Sequence, residues 1–192
     1  MRFALFSFVL SIAVLLSTAF TAHLEQDALV EELKAGGRVL MIRHAYAPGT
    51  GDPPHFRIGD CSTQRNLDQR GRSQARAIGD WLRDRGIVSA RVFSSQWCRC
   101  VETAELMDLG PVNELPALNS FFSRPQDREP NLRALRDFLS EQPPDGELIV
   151  LVTHFVTISA VTGEGVSSGE GVILRLGENA SPEVIGRLDF GL

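Results

Sequence analysis

Three places in the chain share one layout: a short apolar run ends, and side chains able to bind an anion follow at once. Arg43-His44 follow Ile42, Ser94-Ser95 follow Phe93 with Arg99 shortly after, and Thr153-His154 follow Val152. The chain has four histidines, and two of them occupy such positions. A lone histidine after a strand, or a lone arginine at the start of a helix, is ordinary. Two of each converging on one point would repel unless an anion sat among them. A tetrahedral phosphoryl group offers enough oxygens and charge to satisfy all four. Imidazole adds a second possibility, because a neutral ring nitrogen can act as a nucleophile.

These residues need a scaffold that brings distant strand ends together. The apolar runs Arg38–Ile42, Arg91–Ser94 and Leu148–Val152 predict buried strands, the last of them apolar throughout. Val112–Leu115, Val172–Leu176 and Val184–Leu188 predict further strands. Helical spacing predicts helices over Leu24–Ala35, Asp68–Arg85, Cys98–Leu109, Asn131–Glu141 and Phe155–Thr162, several closed by glycine. Tyr46–Cys61 and Asn119–Pro130 read as irregular segments. Strands alternating with helices predict an α/β domain: a three-layer α/β/α sandwich around a mostly parallel sheet. Ligands of such sheets collect beyond the carboxyl ends of the strands, where helix N-termini add N–H donors.

The 192 residues suffice for one domain with a sizeable core. Residues 1–22 predict a secretory signal: Arg2, an apolar stretch, then small residues up to Ala22. The domain is then expected over residues 23–192, soluble, in a periplasmic or secreted setting, with no stable membrane insertion after cleavage. The formal net charge of −5 argues against nucleic acid as a partner. Lys34 is the only lysine among 19 basic residues, and arginine's planar fork suits phosphate oxygens. Of three cysteines, Cys61 is expected to pair with Cys98 or Cys100 and leave one thiol. Cys98-x-Cys100 is too closely spaced for the usual metal site.

Arg43-His44-Ala45 after a strand resembles the Arg-His-Gly signature of the histidine phosphatase superfamily, the phosphoglycerate-mutase-like fold. Asn66-Leu67-x3-Gly71-x2-Gln74-Ala75, Ser94-Ser95-x3-Arg99-x3-Thr103-Ala104 and Thr153-His154 resemble the family's following segments, in order. The extracytoplasmic members, among them lipopolysaccharide-core heptose phosphatases, are the most similar in their leader and short core. The resemblance implies a phosphomonoesterase that needs no metal or other cofactor and acts on a phosphorylated small molecule or glycan. It implies His44 as the phosphate-accepting nucleophile, Arg43 and Arg99 as the phosphate clamp, and His154 as a second imidazole donating to the phosphate. Two positions depart from the pattern: Ala45 replaces the signature glycine, and Ser120 follows Leu118-Asn119 where many members carry a glutamate acid. The acid is therefore sought by region at Glu114, with Asp127, Glu129, Asp52 and Glu170 as further candidates. The alternative expectation is a non-catalytic phosphate-binding module of the same fold. Trp81 and Trp97 are expected to serve packing, and Arg65 to face the substrate entrance.

Overall fold

The computed structural model describes residues 26–177 and 182–192. The expected signal segment, residues 1–22, lies outside the described residues. The first helix is described over residues 26–34 (α1). Then follow β1 (Arg38–Arg43), α2 (Gln69–Asp84), β2 (Arg91–Ser94), α3 (Cys98–Met107) and β3 (Val112–Glu114). The chain continues through α4 (Arg128–Ser140), β4 (Ile149–Thr153), α5 (Phe155–Thr162), β5 (Gly171–Arg175) and β6 (Glu183–Leu188).

One sheet has the order β3-β2-β4-β1-β5-β6. The pairs β2–β3, β2–β4 and β1–β4 are parallel, and β5 and β6 extend the sheet antiparallel. β4 is buried along its whole length, as its unbroken apolar run requires of a strand covered on both faces. The pleat divides the core in two. Leu40 and Ile42 point toward α1, α2 and α3, where Leu33, Ile78, Leu82 and Met107 meet them. Val39 and Met41 point toward α4 and α5, where Leu135, Leu139 and Ile158 meet them. The three-layer α/β/α plan expected from the sequence is the observed one.

The register sets the chemistry. Arg43 lies opposite Thr153, and Ser94 opposite Val152. Three parallel strands therefore end level, and His44, Ser95 and His154 emerge side by side on one edge. His44 N donates to Thr153 O at 2.9 Å and Ser95 N to Val152 O at 2.9 Å, carrying the ladder one residue past the strands.

Helix α4 starts three residues earlier than the sequence suggested, at Arg128. The irregular segment was expected to run to Pro130, but Pro130 sits in the first turn of the helix, where a missing N–H costs no intrahelical bond. The irregular segment is shortened accordingly, with a 3-10 turn at Pro125–Asp127 leading into the helix.

Cys61 pairs with Cys98, and Cys100 is a buried free thiol. Two positions apart on a helix point to nearly opposite sides, so only one of the two cysteines can meet Cys61. The bridge ties the loop before α2 to the first residue of α3 and spans 37 residues. Replacing both Cys61 and Cys98 by serine is expected to lower unfolding free energy by roughly 2–4 kcal/mol. Urea titration of the double variant checks this, and an unchanged midpoint refutes it.

Candidate active site

Both imidazoles are buried at the strand ends, their ring centroids 5.5 Å apart. His44 Nδ1 lies 2.8 Å from Ala45 O, an acceptor only, so Nδ1 carries the proton. Arg99 Nε donates to His44 Nε2 at 3.1 Å, so Nε2 carries the lone pair. Burial first, and then the charge of Arg99, push the His44 pKa down to about 3. The ring is neutral at ordinary pH, with a basic nitrogen facing the cavity's cations.

His154 is oriented from the other side. Arg99 Nη2 approaches its Nδ1 at 3.5 Å, so Nε2–H donates to Ser95 Oγ at 2.9 Å. Ser95 Oγ donates in turn to Asn119 Oδ1 at 3.2 Å, which also accepts from Gln96 N at 2.9 Å. Burial, then the positive charge of Arg99, holds His154 well below its ordinary pKa. Cys100 Sγ lies 3.5 Å from His154 Nε2, but burial pushes this thiol up to about 12, so it stays protonated and unreactive.

Arg99 is the hub. Its five N–H groups reach His44, His154, the Arg65 carbonyl and both carboxylate oxygens of Asp52, the last at 2.8 and 3.2 Å. Thr103 locks the base of this arrangement: its hydroxyl donates to Arg99 O and accepts from Ala45 N, joining α3 to the exit of β1. Arg43 uses one nitrogen on Val166 O at 3.0 Å, while its buried Nε has no partner. An unpaired buried guanidinium nitrogen beside Arg99 is costly by itself and is what an anion would satisfy. Arg65 lines the same cavity and holds the loop carbonyls of Gly51 and Ala47.

The remaining motif residues also have structural reasons. Gly71 lets α2 approach β1's exit: a Cβ there would lie 1.9 Å from Tyr46 O. Gln74 accepts from Tyr46 N and donates to Ser168 O, each at 2.9 Å.

Arg43, His44, Arg99 and His154 thus share the wall of one cavity of about 610 Å³. Glu114, the acid sought by region, does not. It is exposed at the end of β3 and accepts from Gln96 Nε2. Asp127 pairs with Arg124, Glu129 with Arg128 and Glu170 with Arg187. Among the described residues of the cavity wall, Asp52 is the one carboxylate. It accepts from Arg99, from Arg65 N at 3.0 Å and from Trp97 Nε1 at 3.0 Å. Burial raises its pKa, but Arg99's hydrogen bond and charge outweigh that and hold it low. Asp52 is an ionised brace for Arg99, not a stored proton. Trp97, expected only to pack, supplies one of the brace's donors and lays its ring against His154. The sequence contained no local sign of this pairing. His55 is exposed, while its neighbours Gly49 to Pro54 wall the cavity. Among the described residues, no group of three or more His, Cys, Asp or Glu is placed to hold a metal ion.

The buried imidazoles make stability pH-dependent. They are neutral in the folded chain, whereas unfolded histidine gains a proton near about 6.5. Acid therefore favours the unfolded chain from about pH 6.5 downward, toward His44's folded value of about 3. Asp52 acts in the same direction, since its stabilisation is lost as pH falls through its depressed pKa. The unfolding free energy from urea titration is expected to fall steadily between pH 6.5 and 4.5, by up to about 1.4 kcal/mol per histidine per pH unit, and the midpoint with it. A flat midpoint over that window overturns this.

Comparisons with known proteins agree with the geometry. The family model described as histidine phosphatase superfamily (branch 1) matches residues 39–121, which include Arg43, His44 and Arg99. None of the curated proteins matches the chain. Among solved structures, the protein histidine phosphatase SixA complexed with tungstate superposes with a TM-score of 0.55 at 17% identity, over 80% of this chain and 97% of that one. A mycobacterial glucosyl-3-phosphoglycerate phosphatase gives 0.54 at 17% identity, over 79% and 98% of the two chains. A protein from Thermus thermophilus gives 0.54 at 20% identity, over 79% and 99%. At these identities the likeness establishes the fold.

Proposed function

We propose that this chain is a phosphatase of the histidine phosphatase superfamily that works through a phosphohistidine on His44. The carrying observation is the neutral His44 with its Nε2 lone pair directed into a cavity beside Arg99 and the unpaired Arg43 Nε. Arg43 and Arg99 hold the phosphoryl oxygens. His154, neutral in the free site, takes up a proton when a dianion enters and donates from Nδ1. Cations fixed in a partly dry cavity are worth most as charge builds on the transferring group.

In the first step His44 Nε2 attacks phosphorus. The P–N bond forms, the ester P–O bond breaks, and the leaving oxygen departs with the electron pair. In the second step water attacks phosphorus, the electron pair returns to Nε2, and phosphate is released with the water's proton passing to solvent. Two displacements replace one difficult hydrolysis.

The proposal includes export. The leader over residues 1–22, the likeness of leader and core to extracytoplasmic members, and the Cys61–Cys98 disulfide support an oxidising setting.

The experiment is to trap the intermediate. Rapid quench with a labelled aryl phosphate is expected to leave an acid-labile, alkali-stable phosphoryl group on the peptide carrying His44. The second reading, a phosphate-binding module without turnover, draws support from the lack of an unpaired acid in the described cavity wall. Sulfate binding with no label and no phosphate release would favour that reading.

A further inference from the structure

Resting on the phosphatase reading, we infer that the substrate is a phosphomonoester of an acidic, phenol-like hydroxyl carried on a flat apolar body. Two independent features of the cavity carry this.

The first is the mouth. Phe122 is 59% exposed and Phe155 44% exposed, and both line the cavity that holds His44 and Arg99. Among the described residues they are the only aromatic side chains in the set of exposed large apolar residues. Two phenylalanines exposed on the wall of one cavity make an apolar patch of the kind that marks a ligand-binding groove. Phe56, stacked on Trp97 with centroids 4.8 Å apart, adds a further aromatic stretch to the same wall. The anion site at the cavity floor fixes one end of the occupant, so the part reaching the mouth is the ester's organic body. For a polyol body the wall offers the hydroxyls of Thr50, Ser120 and Ser123 but no carboxylate or amide side chain with lone pairs to spare. Bidentate grips on paired sugar hydroxyls come from carboxylates and amides with free lone pairs. Asp52 has its oxygens taken by Arg99, Arg65 N and Trp97. Arg124 at the rim is paired with Asp127.

The second feature is the floor. No described side chain of the wall is a protonated carboxylic acid positioned for the leaving oxygen, because Asp52 is ionised and fully engaged. General acid catalysis is worth about 10²–10⁴-fold. With the His154 proton given to a phosphoryl oxygen and Asp52 ionised, the leaving oxygen has no acid of its own, and the site favours one that departs as a stable anion, as a phenolate does and a sugar alkoxide does not. During transfer the P–O bond breaks and the phenolate carries the electron pair away, to be protonated in solvent. Both features select the same molecule.

The test compares kcat/KM for 1-naphthyl phosphate, phenyl phosphate, acetyl phosphate and glucose 6-phosphate on the disulfide-bonded chain. The naphthyl ester is expected to exceed the phenyl ester by about tenfold, the worth of one extra aromatic contact, chiefly through KM. Both are expected to exceed glucose 6-phosphate by about 10²-fold or more, the general acid's contribution. Across substituted phenyl phosphates, kcat/KM is expected to fall steadily as the phenol becomes less acidic. In the Phe122→Ser, Phe155→Ser variant the naphthyl-to-acetyl ratio is expected to fall about tenfold. The wild-type comparison stands alone if the variant folds poorly. Glucose 6-phosphate matching the naphthyl ester overturns the inference while leaving the phosphatase reading intact, because acetyl phosphate, small and activated, reports that reading separately. If even acetyl phosphate is untouched, the phosphatase reading fails. Binding then decides the seat: 1-naphthyl phosphate binding about tenfold tighter than inorganic phosphate supports it, and equal binding overturns it.

Discussion

His44→Ala is expected to lower phosphomonoester turnover by at least about 10⁴-fold, the scale of losing a nucleophile that acts within a unit. The imidazole is held on both nitrogens, by the Ala45 carbonyl and by Arg99 Nε, so it has one orientation and one tautomer. Alanine removes the lone pair and leaves the cations in place. Sulfate should therefore still bind, with an affinity changed by less than about tenfold, since Arg43 and Arg99 each retain their donors. Activity and binding part company in this variant only if His44 forms the covalent bond. A purely structural His44 would lose both together. Steady-state kinetics and calorimetric titration with sulfate check the split, and turnover within tenfold of the parent refutes the assignment. Some stability is also expected to go, about 1–3 kcal/mol, because the Arg99 Nε donor and the Ala45 carbonyl lose a buried partner.

The second large effect is expected at Arg99. Arg99→Leu removes the charge nearest the transferring group, and loss of one such donor elsewhere costs about 10²–10³-fold. It also strands Asp52, whose side chain is 14% exposed and keeps only Arg65 N and Trp97 Nε1 as donors. Removing one partner of a buried pair costs about 3–5 kcal/mol, chiefly through the charge left behind. The two losses have different cures. Adding Asp52→Asn to Arg99→Leu removes the stranded charge, so stability is expected to return in large part while activity stays low. Arg99→Lys keeps the charge but not the fork that spans His44 and Asp52, and is expected to remain about 10²-fold down. Full activity in the lysine variant would show that charge alone suffices and that the five-way geometry is incidental. Urea titration and kcat/KM on the same three proteins separate these outcomes.

The Arg99 arrangement has a consequence for substrate entry. Every N–H of this side chain is engaged in the free site. In the proposed reaction, a phosphoryl group reaching His44 Nε2 takes the donor that Arg99 Nε gives to that nitrogen. Asp52 keeps the guanidinium plane oriented while this exchange occurs, and the unpaired Arg43 Nε supplies a donor already waiting. Orientation supplied in advance is a large part of what a preorganised site contributes.

How much of this was legible before the fold was known follows from the range of each signal. β1 and β4 declare themselves through consecutive apolar residues, and parallel strands buried on both faces have no other pattern available. The strand-end motifs place His44 and His154 by local order alone, and parallel pairing then levels them. Arg99 is legible as a first-turn residue of α3. Pro130 misled because a proline is the same letter in a helix's first turn as in its interior, while only the interior position breaks it. Cys98 and Cys100 could not be separated by spacing, since either reaches Cys61 until the helix phase is set.

The chain's own order determined that two imidazoles and two guanidinium groups would gather at the carboxyl edge of a parallel sheet. Tertiary structure alone decided what they face. Asp52 meets Arg99 across 47 residues, Trp97 turns its indole N–H to that carboxylate, and Phe122 and Phe155 stand open at the mouth. Strand and helix periodicity is short-ranged and survives in sequence. A carboxylate's ionisation depends on which donors the loops fold against it, and those distances exist only once the chain is packed.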